Sequence, residues 1–112
     1  MSTKVEPLTA RQLLEGLAYL CDQGCWTQHT SARDKHGSSI DSRDPMAVQW
    51  CAVGAIIAQM ATNDEALIQG NLASRTLRAE LGVSNLSVGN DKPSMTAAKM
   101  AKAARAAAAR LP

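Results

Sequence analysis

The stretch DPMAVQWCAVGAIIAQMA, residues 44–61, decides how the chain folds. Asp44-Pro45 reads as a helix start, with Asp as the N-cap and Pro at the first helical position, where its missing N–H costs nothing. From Met46 to Ala61 apolar residues fall nearly all round a helical projection, which predicts a core helix over 45–61, buried on most sides. Gly54 and Ala58, one turn apart, let another helix approach closely. Gln49, Gly54 and Gln59 interrupt the run, which is also too short to span a bilayer, so no membrane contact is expected.

Toward the N-terminus, residues 8–24 carry a clear helix signal. Thr9 is an N-cap, Gln12 completes a capping box, and Leu8 can staple onto Leu13. Ala10, Leu13, Leu14, Leu17, Ala18 and Cys21 recur at steps of three and four, and Gly24 is placed to end the helix in a left-handed conformation. Between the two helices, residues 25–44 change character to CWTQHTSARDKHGSSIDSRD. Asp34-Lys35-His36-Gly37 is a turn signal there, and short extended segments at about 26–33 and 38–41 form a hairpin or ordered loop.

Toward the C-terminus, either Thr62 with Glu65 or Asn63 caps a helix over 63–82, which Gly70-Asn71 could split. VSNLSVGNDKP reads as a loop, and Ser94 caps an Ala-rich helix over 94–111. Met100, Ala97, Ala101, Ala104, Ala108 and Leu111 share one side of that helix, and Lys99, Lys102, Arg105 and Arg110 gather on the other. The expected fold class is mainly α: a compact, single-domain bundle of about four helices, with the small hairpin between the first two and residues 1–7 as a flexible N-terminus.

A length of 112 residues suits one hydrophobic core. With no Phe, two Trp and one Tyr, that core must be aliphatic. Twelve Lys and Arg against ten Asp and Glu give a net charge of +2, too little to hold a phosphate backbone by bulk electrostatics. Three cysteines, Cys21, Cys25 and Cys51, cannot all pair within one chain, and MSTKVEPLT lacks the apolar run of a secretory signal, so a reducing cytoplasm is expected.

Trp26, Ala32-Arg33-Asp34, Gly37, Asp44-Pro45 and Trp50-Cys51-Ala52-Val53-Gly54-Ala55 together resemble the pattern of a family of small uncharacterised prokaryotic and phage proteins. Asn90-Asp91 is a further match. The resemblance covers most of the chain and implies a fold family and a prokaryotic or viral setting. It transfers no catalytic residue.

Four sets of residues could carry chemistry. Cys51 with His29 or His36 as base and Asp34 or Asp41 as orienter has the residue types of a cysteine hydrolase, but a cysteine deep in an apolar helix reads as a buried, inert thiol. Cys21, Cys25, Cys51 and a histidine could ligate zinc, although C-x3-C across Gly24 is not a zinc knuckle, and no metal or other cofactor is expected. TLRAELGVSNLSVGN, within residues 76–92, has helix-turn-helix-like spacing, opposed by Arg78, Gly89 and Pro93. Lys99, Lys102 and Arg105 would be its nucleic-acid contacts.

The fourth set is Trp26, Gln28, His29, Arg33, Asp34, His36, Asp41 and Arg43, a dense polar segment beside Trp50. It reads either as a recognition surface or as capping that pins the hairpin. The leading expectation is a non-enzymatic interaction or regulatory accessory protein, phage or mobile-element encoded, using these residues on a host protein. The alternatives are a nucleic-acid-binding regulator, and a small-molecule- or metal-binding protein or hydrolase centred on Trp26, His29, Arg33, Asp34 and Cys51.

Overall fold

A computed structural model of the chain describes residues 7–112. The flexible N-terminus expected over 1–7 lies, apart from Pro7, outside the described residues. The fold is mainly α, with a small antiparallel sheet beside the second helix.

Helix α1 (Ala10–Asp22) starts as its sequence dictates: the Thr9 hydroxyl accepts the Gln12 N–H, and the Gln12 side chain accepts the Thr9 N–H. Its apolar stripe of Ala10, Leu13, Leu14, Leu17, Ala18 and Cys21 is buried, and Gly24 follows in the left-handed region at φ +74°. Helix α5 (Ala97–Ala108) lies against this stripe through Met100, Ala101, Ala104, Ala107 and Ala108. Alanines on α5 let the two backbones come close, while the leucines of α1 supply the volume.

Between them in sequence, β1 (Ala32–Arg33) pairs antiparallel with β2 (Ser39–Ile40) on one side and β3 (Gln49–Trp50) on the other. The hairpin expected over 26–41 is therefore real, but its paired part is shorter. The first helical segment expected after it is corrected. Asp44 does not cap a helix; its carboxylate accepts the Met46 N–H at 2.8 Å and its carbonyl the Ala47 N–H at 3.0 Å, closing a turn. Asp-Pro is also a turn signal, and here the free edge of β1 takes the following backbone as β3. Met46 and Val48 are consequently exposed rather than core.

Helix α2 (Ala52–Gln59) begins seven residues later than expected, capped by Cys51. Its buried Ala52, Ala55 and Ile56 join the core. Helix α3 (Asp64–Leu81) runs unbroken through Gly70-Asn71, capped by Asn63 and ended by Gly82 at φ +69°. The expected loop after it contains a short helix, α4 (Leu86–Asn90), and α5 is capped by Thr96 rather than Ser94.

Candidate functional site

Asn90 closes α4, and its side chain is fully buried. Its Oδ1 accepts the indole Nε1–H of Trp26 at 2.8 Å and the backbone N–H of Ala52 at 3.0 Å. Its Nδ2 donates to the Thr27 carbonyl at 3.1 Å and to Asp91 Oδ1 at 3.0 Å. Both amide hydrogens and both acceptor sites are thus used, as a buried amide requires. The Asn90 carbonyl in turn accepts Gln28 Nε2–H at 2.9 Å. One side chain joins the polar segment, the first turn of α2 and the end of α4.

The residues around this hub have equally specific tasks. Cys51 Sγ accepts the Gly54 N–H at 3.2 Å as the cap of α2. Gly54 packs directly on the Ser31 carbonyl oxygen, so that a Cβ would overlap a backbone atom. The Ser31 carbonyl also accepts the Cys51 N–H at 3.1 Å. Trp50 Nε1–H donates to the Ser42 carbonyl at 2.9 Å, and Trp26 bridges to Trp50 in parallel.

Beside the hub is an open cleft of about 210 Å³, lined by His29, Thr30, Ser31, Cys51, Val53, Ser87 and Asp91. Cys51 is only 6 % exposed. Burial pushes its thiol pKa up, partly offset by hydrogen bonds from the backbone of the first α2 turn. Asp91 Oδ1 accepts the His29 backbone N–H at 2.8 Å, and Oδ2 lies 3.9 Å from His29 Nδ1. His29 stands at φ +71°, a conformation that a non-glycine residue adopts at a cost and that this anchoring holds in place.

Most of the polar segment is spent inside the molecule. Arg33 donates from Nε to Thr27 Oγ1 at 2.9 Å, from Nη1 to the Gly37 carbonyl at 2.9 Å and from Nη2 to the Gln28 carbonyl at 3.0 Å. Asp34 accepts the His36 and Ser38 N–H groups in the 34–38 turn, and Asp41 accepts the Arg43 N–H. Arg43 reaches across to the end of α2, donating to the Ile57 and Met60 carbonyls at 3.2 and 3.3 Å. Trp26 and Gln28 face the hub, His36 is exposed, and His29 borders the cleft. Of the acids first considered as partners for His29, neither lines the cleft; Asp91 does.

The model of a family of unknown function, DUF6197, matches residues 5–110. The chain belongs to this family. No curated protein and no solved structure matches it.

Two other surfaces of this DUF6197 member matter. Between α2 and α3 runs an apolar groove of about 220 Å³, walled by Val53, Ile56, Ile57, Met60, Leu67 and Leu86, with Asn71 and Ser74 along one side. Gly70 gives the Met60 thioether its place in the floor. Of its walls, Ile57 is 37 % and Leu67 54 % exposed. Arg43 stands where this groove meets the next depression, whose walls include Met60, Asp64 and Leu67.

The basic face of α5 is the second surface. Arg105 is paired with Asp22, Arg110 Nη2 lies 2.7 Å from Glu80 Oε2, and Lys99 Nζ donates to the Ser94 carbonyl at 2.9 Å. Helix α4 has five residues, and Leu86, Gly89 and Asn90 are buried. A recognition helix needs an exposed face long enough to cross base edges in the major groove, and α4 has none. Among the described residues, no three His, Cys, Asp or Glu side chains converge as metal ligands do, and no helix is long and apolar enough to cross a membrane.

Proposed function

We propose that this protein is a non-enzymatic interaction protein, a phage or mobile-element accessory factor acting in the cytoplasm on a host protein through the α2–α3 groove. The observation that carries the reading is the contrast between two surfaces. Most polar side chains of the 26–44 segment bond to one another and to the hub, whereas the groove leaves Ile57 and Leu67 in solvent beside apolar walls. Clustered exposed aliphatic side chains around a concavity are costly in water and mark binding surfaces.

The occupant that fits is an amphipathic helix of the partner. A groove between two helices takes the apolar face of a third, with anchors spaced three and four residues apart. Arg43 at the groove edge keeps its charge while two of its N–H groups cap α2, so it favours an acidic residue flanking the apolar anchors. Of the surface first read from sequence, Arg43 is the member that borders this groove.

The nucleic-acid reading has less support, because Arg105 and Arg110 already face acids and α4 is short. The test is recovery of a specific partner from host cells by the wild-type chain, Leu67→Glu and Tyr19→Glu. Tyr19 is 61 % exposed on α1. Loss with Leu67→Glu and retention with Tyr19→Glu supports the groove; equal recovery by all three contradicts it.

A further inference from the structure

One face of α3 is explained neither by the core nor by the groove. Ala66, Gly70, Ala73 and Leu77 are buried against the rest of the bundle. On the opposite side Asp64, Ile68, Asn71 and Arg75 are exposed and, at about 100° per residue, fall within about 60° of one another. Leu67 lies about 100° from Ile68, on the groove side. Ile68, at 63 %, is the most exposed large apolar side chain among the described residues, and it stands outside the groove wall.

The order of residues along this stripe identifies what covers it: acid, aliphatic, amide, base. Asp64 sits in the first turn, where a carboxylate suits the helix dipole, but Arg75 precedes the last turn, and among the described residues no salt bridge uses either one. The two lie about 16 Å apart along the helix, too far to pair with each other within one chain. In a second copy running the opposite way they can meet.

We propose that this face is a self-association surface, on which two copies of the chain pack α3 against α3, antiparallel, about a two-fold axis passing between Gln69 and Gly70. Such an axis repeats every contact, as a closed dimer requires. Asp64 then faces Arg75 of the other copy at both ends of the contact. At its centre each Ile68 leaves water against Ile68 and Asn71 of the other copy. A parallel pairing would set Asp64 beside Asp64 and Arg75 beside Arg75, and like charges in register oppose association, so charge fixes the direction. Contact along one exposed stripe is small, which places the dimer at the weak end of interfaces, with a Kd of about 0.1 mM. The surface is separate from the groove, and its partner is the chain itself.

Sedimentation velocity of the full chain at low salt, over concentrations up to about 1 mM, tests the proposal. The wild type is expected to shift from monomer toward dimer, and Ile68→Ser to stay monomeric with unchanged circular dichroism. Asp64→Arg and Arg75→Asp, each alone, raise Kd about tenfold or more, because each turns both exposed ion pairs into repulsions. An equimolar mixture of these two variants restores dimer, since Arg at 64 then meets Asp at 75 and the remaining Asp64–Arg75 pair is native. Misfolding of either variant cannot produce that rescue. A wild type that stays monomeric throughout, association undiminished by Ile68→Ser, or a mixture no tighter than its components overturns the assignment.

Discussion

Trp26 and Asn90 stand 64 residues apart in the chain, yet the Trp26 indole N–H donates to Asn90 Oδ1 at 2.8 Å. The same oxygen accepts the Ala52 N–H, so a single buried amide sets the polar segment against the start of α2. The Ala52 N–H is buried, so an unpaired donor there would carry its full desolvation cost.

Asn90→Ala strands three groups: the Trp26 N–H, the Ala52 N–H and the Thr27 carbonyl. Each unsatisfied buried group costs about 1–3 kcal/mol, so a loss of about 3 kcal/mol is expected overall. Urea unfolding followed by tryptophan fluorescence measures it. A loss under about 1 kcal/mol would show that the hub is dispensable.

Two glycines separate backbone from side-chain crowding. At Gly54 an added Cβ meets the Ser31 carbonyl oxygen, which is held by the Cys51 N–H and cannot swing away. At Gly16 it meets the end of the Gln59 side chain, which can move at the expense of its bonds to the Leu13 and Ala55 carbonyls. Gly54→Ala is expected to cost about 3 kcal/mol and Gly16→Ala about 1 kcal/mol. Thermal unfolding of the two variants gives the order.

Arg33 holds three separate acceptors with one planar fork, and an ammonium cannot reproduce that geometry. Arg33→Lys should therefore lose about 1–2 kcal/mol. Arg105→Ala removes an exposed ion pair with Asp22 and should lose less than about 0.5 kcal/mol. Chemical denaturation of both variants distinguishes a structural arginine from a surface one.

Cys21 titrates differently in the folded and unfolded chain. Burial pushes its pKa from 9.0 to about 12. Between those values the folded chain keeps a proton that the unfolded chain has lost, so stability present below about pH 9 falls as pH rises toward 12. Cys21→Ala should flatten that decline in urea midpoints measured at pH 8 and 10. At pH 8, iodoacetamide should label the half-buried Cys25 well before Cys21.

Local rules made part of this legible in the sequence. The Thr9–Gln12 box, the stripe of α1, the left-handed Gly24, the end of α3 at Gly82 and the alanine face of α5 depend on neighbours within a turn or two. The start of α2 was not legible, because Asp44-Pro45 satisfies a cap and a turn equally well. What decides between them is the edge of β1, eleven residues earlier in the chain. That shift moves Cys51 from mid-helix to the cap.

The site was half legible for the same reason. The density of polar groups in residues 26–44 was visible, and so was the possibility that Arg33 and Arg43 are structural pins. Their hub was not, since Asn90 lies beyond two intervening helices, and an Asn in a Gly-Asn-Asp-Lys-Pro sequence looks like any loop residue. The Asn90-Asp91 element of the family pattern was the one signal that pointed there.

The claim that matters most is that the polar segment is scaffold and the α2–α3 groove is the working face. Site-specific photo-crosslinking in host cells tests it, with a benzophenone amino acid at Leu67 in the groove or at His36 on the exposed 34–38 turn. The expected result is a discrete crosslinked partner from Leu67, lost when Ile57 is also changed to Glu, and none from His36. A partner captured from His36 and not from Leu67 would contradict the account.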